Sequence, residues 1–181
     1  MRNTVNHPAK HRCPFRIALA CLGLSLQAHA GGFGNPDQNW VEGHYELPPS
    51  PQAQSLLPVE ISAQSPNRFY VDAGSLTVGE DGVVRYVLVV ETPGGARNVS
   101  FEGIRCVGPT HRLYASQGSD GSWRQLRQSE WRPIMDNSYN RAPAALAQTF
   151  FCLGSAHPQR VERIRHQLEQ AARQAPALGT Q

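Results

Sequence analysis

Residues 83–106 read VVRYVLVVETPGGARNVSFEGIRC and predict a central β-hairpin. The first arm, residues 83–92, is apolar on both faces apart from Arg85, which is typical of a strand covered on both sides. A Pro-Gly-Gly sequence at 93–95 supplies the turn, and residues 97–106 form the returning arm.

The returning arm changes the face that carries its apolar side chains. Val99 and Phe101 share one face, whereas Ile104 and Cys106 fall on the other. A change of phase at Gly103 predicts a β-bulge or a close backbone approach there. Without it, one of the two apolar pairs would face solvent.

Shorter elements are predicted on both sides of the hairpin. Strand candidates lie at 68–72, 75–78, 112–116 and 122–126, and helices at 142–152 and 158–174. The predicted fold class is therefore α+β, with an antiparallel sheet of about five strands, one or two C-terminal helices and one disulfide.

The first thirty residues have the layout of a secretory signal peptide. Their charged side chains are all basic, residues 17–26 are apolar, and Ala30 ends a small-x-small site before Gly31. We expect cleavage after Ala30 and a periplasmic location, with lipid attachment at Cys21 as a minor alternative. No apolar run in the sequence approaches the roughly 18–20 residues that a membrane-spanning helix needs, so no transmembrane segment is expected after signal removal.

Charge and composition limit the partners and the domain organisation. The formal net charge of +3 in 181 residues comes from the signal, whose removal leaves more acidic than basic residues, so nucleic acid is not an expected partner. The predicted organisation is a signal peptide at 1–30, a Pro/Gly-rich tether at 31–56, an α+β domain at 57–156, and a C-terminal helix and tail at 157–181. Within the tether, Trp40, Tyr45 and Leu47 are candidate packing anchors.

Two of the four cysteines leave with the signal, and Cys106 and Cys152 remain. An exported protein with two cysteines most simply forms one disulfide. Two free thiols and a redox-active pair are the alternatives, although the C-x-x-C spacing of redox motifs is absent.

The sequence contains no H-E-x-x-H, G-x-S-x-G or phosphate-binding glycine motif. We therefore predict no catalytic residue, no metal ligand and no cofactor. Arginine and aromatic side chains near the hairpin are typical of interfaces. The candidate interface residues are Glu102, Arg105, Trp123, Trp131, Asn140 and Arg141. The alternatives are a Glu102–Arg105 ion pair that pins the bulge and tryptophans that belong to the core.

Several runs are shared with one known family. They are RFYVDAGSL at 68–76, VVRY at 83–86, NVSFEGIRC at 98–106, LYA at 113–115, GSW at 121–123, WRPI at 131–134, NR at 140–141 and FC at 151–152. These runs resemble the CNP-like family of exported proteobacterial proteins without an assigned activity. The resemblance covers about residues 57–155, and its most specific part is E-G-I-R-C. It implies a periplasmic or envelope location and paired cysteines, and it transfers no catalytic residue.

The sequence thus predicts an exported periplasmic or envelope protein of unknown molecular function, most simply a non-enzymatic binding module. Its expected partner is an unidentified envelope protein or envelope component, and no oligomeric state is predicted. The alternative is a small envelope hydrolase acting on cell-wall polymers or esters, which would need a pocket with convergent carboxylates or a perturbed histidine.

Overall fold

The computed structural model describes residues 39–135 and 141–175. Within these residues, eight strands form one antiparallel sheet. They are β1 (Leu56–Val59), β2 (Arg68–Asp72), β3 (Thr77–Val78), β4 (Val83–Glu91), β5 (Arg97–Arg105), β6 (Thr110–Gln117), β7 (Trp123–Gln125) and β8 (Arg132–Pro133). The α+β class is confirmed, but the predicted count of about five strands is wrong. The strands missing from the candidates are β1 and β8, which are four and two residues long, too short to show a clear alternation of apolar and polar residues.

Strand β4 lies in the middle of the sheet, as the sequence predicts. The order is β1-β2-β4-β5-β6-β7, with β3 also paired to β4 and β8 also paired to β6. Strands β4 and β5 pair over their full lengths, from Val83 opposite Arg105 to Glu91 opposite Arg97. Residues 83–89 are all buried, so both faces of β4 are covered.

Helical elements cover one face of the sheet, here called the helix face. Helix α1 (Arg141–Leu146) continues directly into a π-helical turn (Ala147–Phe151). A two-stranded ribbon of β9 (Cys152–Leu153) and β10 (His157–Pro158) precedes helix α2 (Val161–Gln174). Ile164 and Leu168 of α2 are fully buried in the core on this face. The C-terminal helix therefore docks on its own domain.

The Cys106–Cys152 disulfide joins the sheet to the helical layer, and the predicted bridge is confirmed. Cys106 follows the last residue of β5, and Cys152 follows the π-helical turn. Both cysteines are buried in the helix-face core, so the bridge is shielded from solvent.

Residues 39–51, here called the strap, cover the opposite face of the sheet, the strap face. A second apolar cluster lies there, and Tyr45 and Leu47 pack against it. The ring of Trp40 meets that of Trp131, with centroids 5.6 Å apart. The strap thus places all three candidate anchors against the domain.

The register of β5 is regular, so the predicted bulge at Gly103 is wrong. Phe101 faces the strap-face cluster and Ile104 the helix-face cluster, and both faces are covered. The irregularity lies in β6. Phe101 pairs with Ala115 and Glu102 pairs with Leu113, so Tyr114 is the extra residue of β6 between them. The predicted close approach at Gly103 is confirmed, because a Cβ there would lie 2.5 Å from the Tyr114 hydroxyl.

The contact at Gly103 predicts a local cost for any side chain. We expect Gly103→Ala to lower the free energy of unfolding by about 1–2 kcal/mol, because the methyl group must displace a buried ring. The measurement is equilibrium unfolding in urea. Gly94→Ala is the matched control, since its nearest atom would be 3.9 Å away; equal stability of the two variants would contradict the prediction.

Candidate functional site

The strap places the carboxylate of Glu42 against side chains of β4, of β6 and of the residue that precedes β8. Its Oε1 accepts hydrogen bonds from Arg85 Nη2 at 3.3 Å and from the Tyr114 hydroxyl at 2.5 Å. Its Oε2 accepts from Trp131 Nε1 at 3.1 Å and from Arg112 Nη1. Only 13% of the Glu42 side chain is exposed. Four donors therefore converge on one largely buried carboxylate.

Arg85 and Asp81 form the ion pair beneath Glu42. Both terminal nitrogens of Arg85 reach the Asp81 carboxylate, at 3.2 and 2.5 Å, and only 4% of the Arg85 side chain is exposed. Burial alone would raise the pKa of Asp81, but hydrogen bonds from Arg85 and the Gly43 N–H outweigh it and lower that pKa. Burial likewise works against the charged Arg85, and Asp81 reverses its effect, so the pKa of Arg85 is raised. Both groups are charged at neutral pH.

Aromatic contacts hold the strap on either side of Glu42. The ring of Tyr45 lies 4.3 Å from that of Tyr114, centroid to centroid. The guanidinium of Arg105 lies 4.3 Å from the centroid of the Trp40 ring, a cation–π geometry. Trp40 Nε1 also donates to the Asp81 carbonyl at 2.8 Å. Three strap side chains, at positions 40, 42 and 45, thus occupy three distinct sites on one face of the sheet.

The strap is attached by side chains and not by strand pairing. Within the described residues, no strand includes any part of residues 39–51. Further along the strap, Trp123 Nε1 donates to the Pro48 carbonyl at 2.7 Å, and Gln117 Nε2 donates to Ser50 Oγ at 2.8 Å. The attachment therefore depends on side-chain identity.

A second polar cluster surrounds Glu102 on the helix face. Its carboxylate accepts hydrogen bonds from the Tyr86 hydroxyl at 2.8 Å and Ser100 Oγ at 2.5 Å, and it lies 3.0 Å from His111 Nε2. Burial alone would raise the pKa of Glu102, but the bonds from His111, Ser100 and Tyr86 outweigh it and lower that pKa. The His111 side chain is 19% exposed, so this buried carboxylate orients a histidine that reaches solvent.

The lowered pKa of Glu102 predicts an acid-dependent loss of stability. Because the folded-state pKa lies below the ordinary value of 4.5, the stabilisation is complete above that value and is lost as the pH falls through the folded-state pKa. We expect Glu102→Gln to flatten the decline in unfolding free energy between about pH 5 and about pH 3. Urea titrations across that interval test this, and parallel profiles for variant and wild type would contradict it.

The structure separates Glu102 from Arg105 among the candidate interface residues. They lie three positions apart in a strand, so they face opposite sides of the sheet. Glu102 bonds within the helix-face cluster, and Arg105 contacts Trp40 of the strap. The Glu102–Arg105 ion pair, which the sequence analysis gave as an alternative, is therefore not formed.

The two candidate tryptophans both lie on the strap face. Trp131 donates to Glu42, and Trp123 donates to the strap backbone. Arg141 is exposed at the start of α1. Asn140 and the predicted cleavage site, Ala30 and Gly31, lie outside the described residues.

Sequence reasoning missed the residues at the centre of the strap face, namely Glu42, Asp81, Arg112 and Tyr114. One signal was available, because Arg85 is a lone charge in an otherwise apolar strand and a buried charge requires a partner. The partner could not be identified, since Glu42 lies 43 positions away in a segment that reads as a loop.

A cavity of about 810 Å³ lies between the β1–β2 connection, the π-helical turn and the last turn of α2. Its apolar walls include Val59, Ile61, Phe69, Phe150 and Ala171. Glu60 and Arg68 are its charged lining residues, and both are exposed. Polar side chains, among them Asn67, Thr149 and Gln174, also line it, so the cavity has a mixed wall with apolar side chains on several elements and two charges.

Two features are absent from residues 39–135 and 141–175. No group of three or more histidine, cysteine or acidic side chains in these ranges could hold a metal ion. No helix there has the length and apolar character required to cross a membrane.

Comparison with known proteins places the chain in a family. A model of the CNP1-like family matches residues 35–169. The chain belongs to the CNP1-like family. This CNP1-like chain is also 26% identical over 149 residues to Cryptic neisserial protein 1 of Neisseria gonorrhoeae (strain ATCC 700825 / FA 1090), covering 74% of the chain and 73% of that relative. No solved structure matches it. The family match begins at residue 35, ahead of the strap, so the strap lies within the family region.

Proposed function

We propose that this CNP1-like protein is exported to the periplasm or envelope and acts there as a non-enzymatic binding module. The export step is supported by the basic, apolar and small-residue layout of residues 1–30 and by the buried disulfide, a bond typical of oxidising compartments. Cleavage follows Ala30, with attachment of lipid at Cys21 as the alternative route.

The observation that carries the binding function is the seating of the strap. An extended segment is held through Trp40, Glu42 and Tyr45, each in its own site. Sites rich in arginine, tyrosine and tryptophan are typical of protein interfaces. We propose that the partner presents an extended segment of the same chemistry, a carboxylate between two aromatic side chains, and displaces the strap.

Electrostatics explains why the partner must supply a carboxylate. A segment that replaces the strap covers Arg112 again without the Glu42 carboxylate, while Arg85 keeps Asp81, and a covered guanidinium without a charged acceptor is costly. An apolar segment would leave that cost in place. A segment with a carboxylate removes it, so the face discriminates between ligands by charge.

The test is crosslinking in intact cells followed by affinity capture. Glu42→Gln weakens the hold of the strap, so this variant should capture more of the partner than the wild type. Adding Arg112→Gln removes the cation that the partner needs and should cancel the gain. Glu46→Gln is the matched control, since this strap glutamate is exposed. Equal recovery by all variants and by a mock bait would overturn the proposal.

The location is tested separately by intact mass of protein from a periplasmic extract, with and without reduction before thiol alkylation. A product that begins at Gly31 and is alkylated only after reduction is the expected result. A full-length product that is alkylated without reduction would contradict export.

A second candidate function, hydrolysis of cell-wall polymers or esters, is favoured by the Glu102–His111 pair. Glu102 contacts His111 Nε2 with one oxygen and accepts from the Ser100 hydroxyl with the other, so this cluster contains the residue types of a nucleophilic site. Turnover of peptidoglycan or simple esters that disappears in His111→Gln would support this activity. Complete inactivity of the wild type on these substrates would contradict hydrolysis and leave the binding module as the proposed function.

A further inference from the structure

We propose that the cavity beside the π-helical turn binds the hydrocarbon chain of a single-chain amphiphile whose head group carries both charges, such as a lysophospholipid. No residue of the strap lines this site. The cavity is lined by β1, β2, the loop between them, the π-helical turn and the end of α2.

The size and walls of the cavity suit an apolar chain. Its volume of about 810 Å³ falls within the range of about 300–1,000 Å³ that is usual for small-molecule sites. Ile61, Phe69 and Ala171 are only partly buried and line the cavity, where they pack against the helix-face core. Such walls offer dispersion contacts and removal of apolar surface from water, which are the interactions that a hydrocarbon chain can make.

The π-helical turn explains how Phe150 comes to line the cavity. Three consecutive residues contact three different parts of the protein. Phe150 lines the cavity, the ring of Phe151 packs on that of Tyr86 with ring centroids 4.9 Å apart, and Cys152 forms the disulfide with Cys106. A π-turn inserts an extra residue into a helix and is frequent at functional sites. The insertion thus directs one aromatic ring to the cavity without removing the next from the core.

The charged lining residues define the head group. Val59 pairs with Phe69 at the end of the β1–β2 ladder, so Glu60 and Arg68 are the next residues beyond that pair. Within residues 39–135 and 141–175, neither side chain has an ion-pair partner. One positive and one negative group beside the same cavity complement a phosphate and an ammonium in one ligand.

The test compares three probes of equal chain length below their micelle concentrations: a lysophosphatidylethanolamine, a fatty acid and a monoacylglycerol. Binding to the full chain is measured by displacement of a fluorescent apolar dye. We expect all three to bind and the lysophosphatidylethanolamine to bind about tenfold more tightly than the monoacylglycerol. Arg68→Gln and Glu60→Gln should each reduce that advantage and leave monoacylglycerol binding unchanged.

A blocking variant tests the cavity itself. Ile61→Glu places a carboxylate in the apolar cavity and should abolish dye and probe binding. Leu153→Glu is the matched control, since Leu153 is exposed and does not line the cavity, and both variants are checked for a wild-type melting transition. Failure of every probe to bind would overturn the cavity site. Equal affinities for all three probes, insensitive to Arg68→Gln, would overturn the head-group assignment, and neither result bears on the strap face.

Discussion

Replacing Cys106 and Cys152 together by alanine should lower the free energy of unfolding by about 4 kcal/mol. The bridge closes a loop with a sequence separation of 46 residues, and the entropy of that closed loop in the unfolded chain gives this magnitude. The loop contains β6, β7, β8, α1 and the π-helical turn. Without the bridge, these elements remain on the sheet through packing and hydrogen bonds alone.

The measurement is urea unfolding of the wild type and the double variant, each with and without reductant. Reductant should shift the wild-type midpoint toward that of the variant and leave the variant unchanged. Because both cysteines are buried, the reduction should require unfolding and therefore depend on urea concentration. A loss below about 1 kcal/mol would show that the bridge constrains the unfolded chain far less than its loop length predicts.

The sequence predicted best where the information is local. The β4–β5 hairpin follows from two apolar arms and a Pro-Gly-Gly turn, and residues 83–91 pair with residues 97–105 as predicted. Gly103 was recognised as a close approach, but its cause was not, because Tyr114 reaches it from the neighbouring strand. The bulge was placed in the wrong strand because one-sided burial was assumed, whereas both faces of the sheet are covered.

The strap face was not predictable from local pattern, because its contacts join distant positions. Glu42 is 70 residues from Arg112, 72 from Tyr114 and 89 from Trp131. No periodicity links such residues, and the strap has no strand pairing that an alternation could reveal. Trp123 and Trp131 stay predicted interface residues; both contact the strap, a segment that the sequence predicts only as a tether with packing anchors.

Glu42→Gln should lower the free energy of unfolding by about 3 kcal/mol, at the lower end of the range for breaking a buried ion pair. The amide preserves the size of the side chain but loses the negative charge. Its NH₂ group is a hydrogen-bond donor and would face the donor groups of the sheet in place of an accepting oxygen. Arg85 keeps Asp81 as a partner, so most of the loss falls on Arg112, whose other hydrogen bond is to Ser129 at 3.4 Å. Partial exposure of Arg112, at 25%, limits the loss because water replaces part of the bond.

The same substitution should loosen the strap before the sheet unfolds. The Gly43 N–H donates to Asp81, and this amide should exchange with solvent faster in Glu42→Gln, because Glu42 no longer holds the adjacent backbone against Arg85. Hydrogen exchange of residues 39–51, read alongside that of β4, separates local release from global unfolding. Glu46→Gln, on the exposed side of the strap, should match the wild type in both stability and exchange. If the two glutamate variants behave alike, the Glu42 carboxylate does not hold the strap, and recognition by charge on this face fails with it.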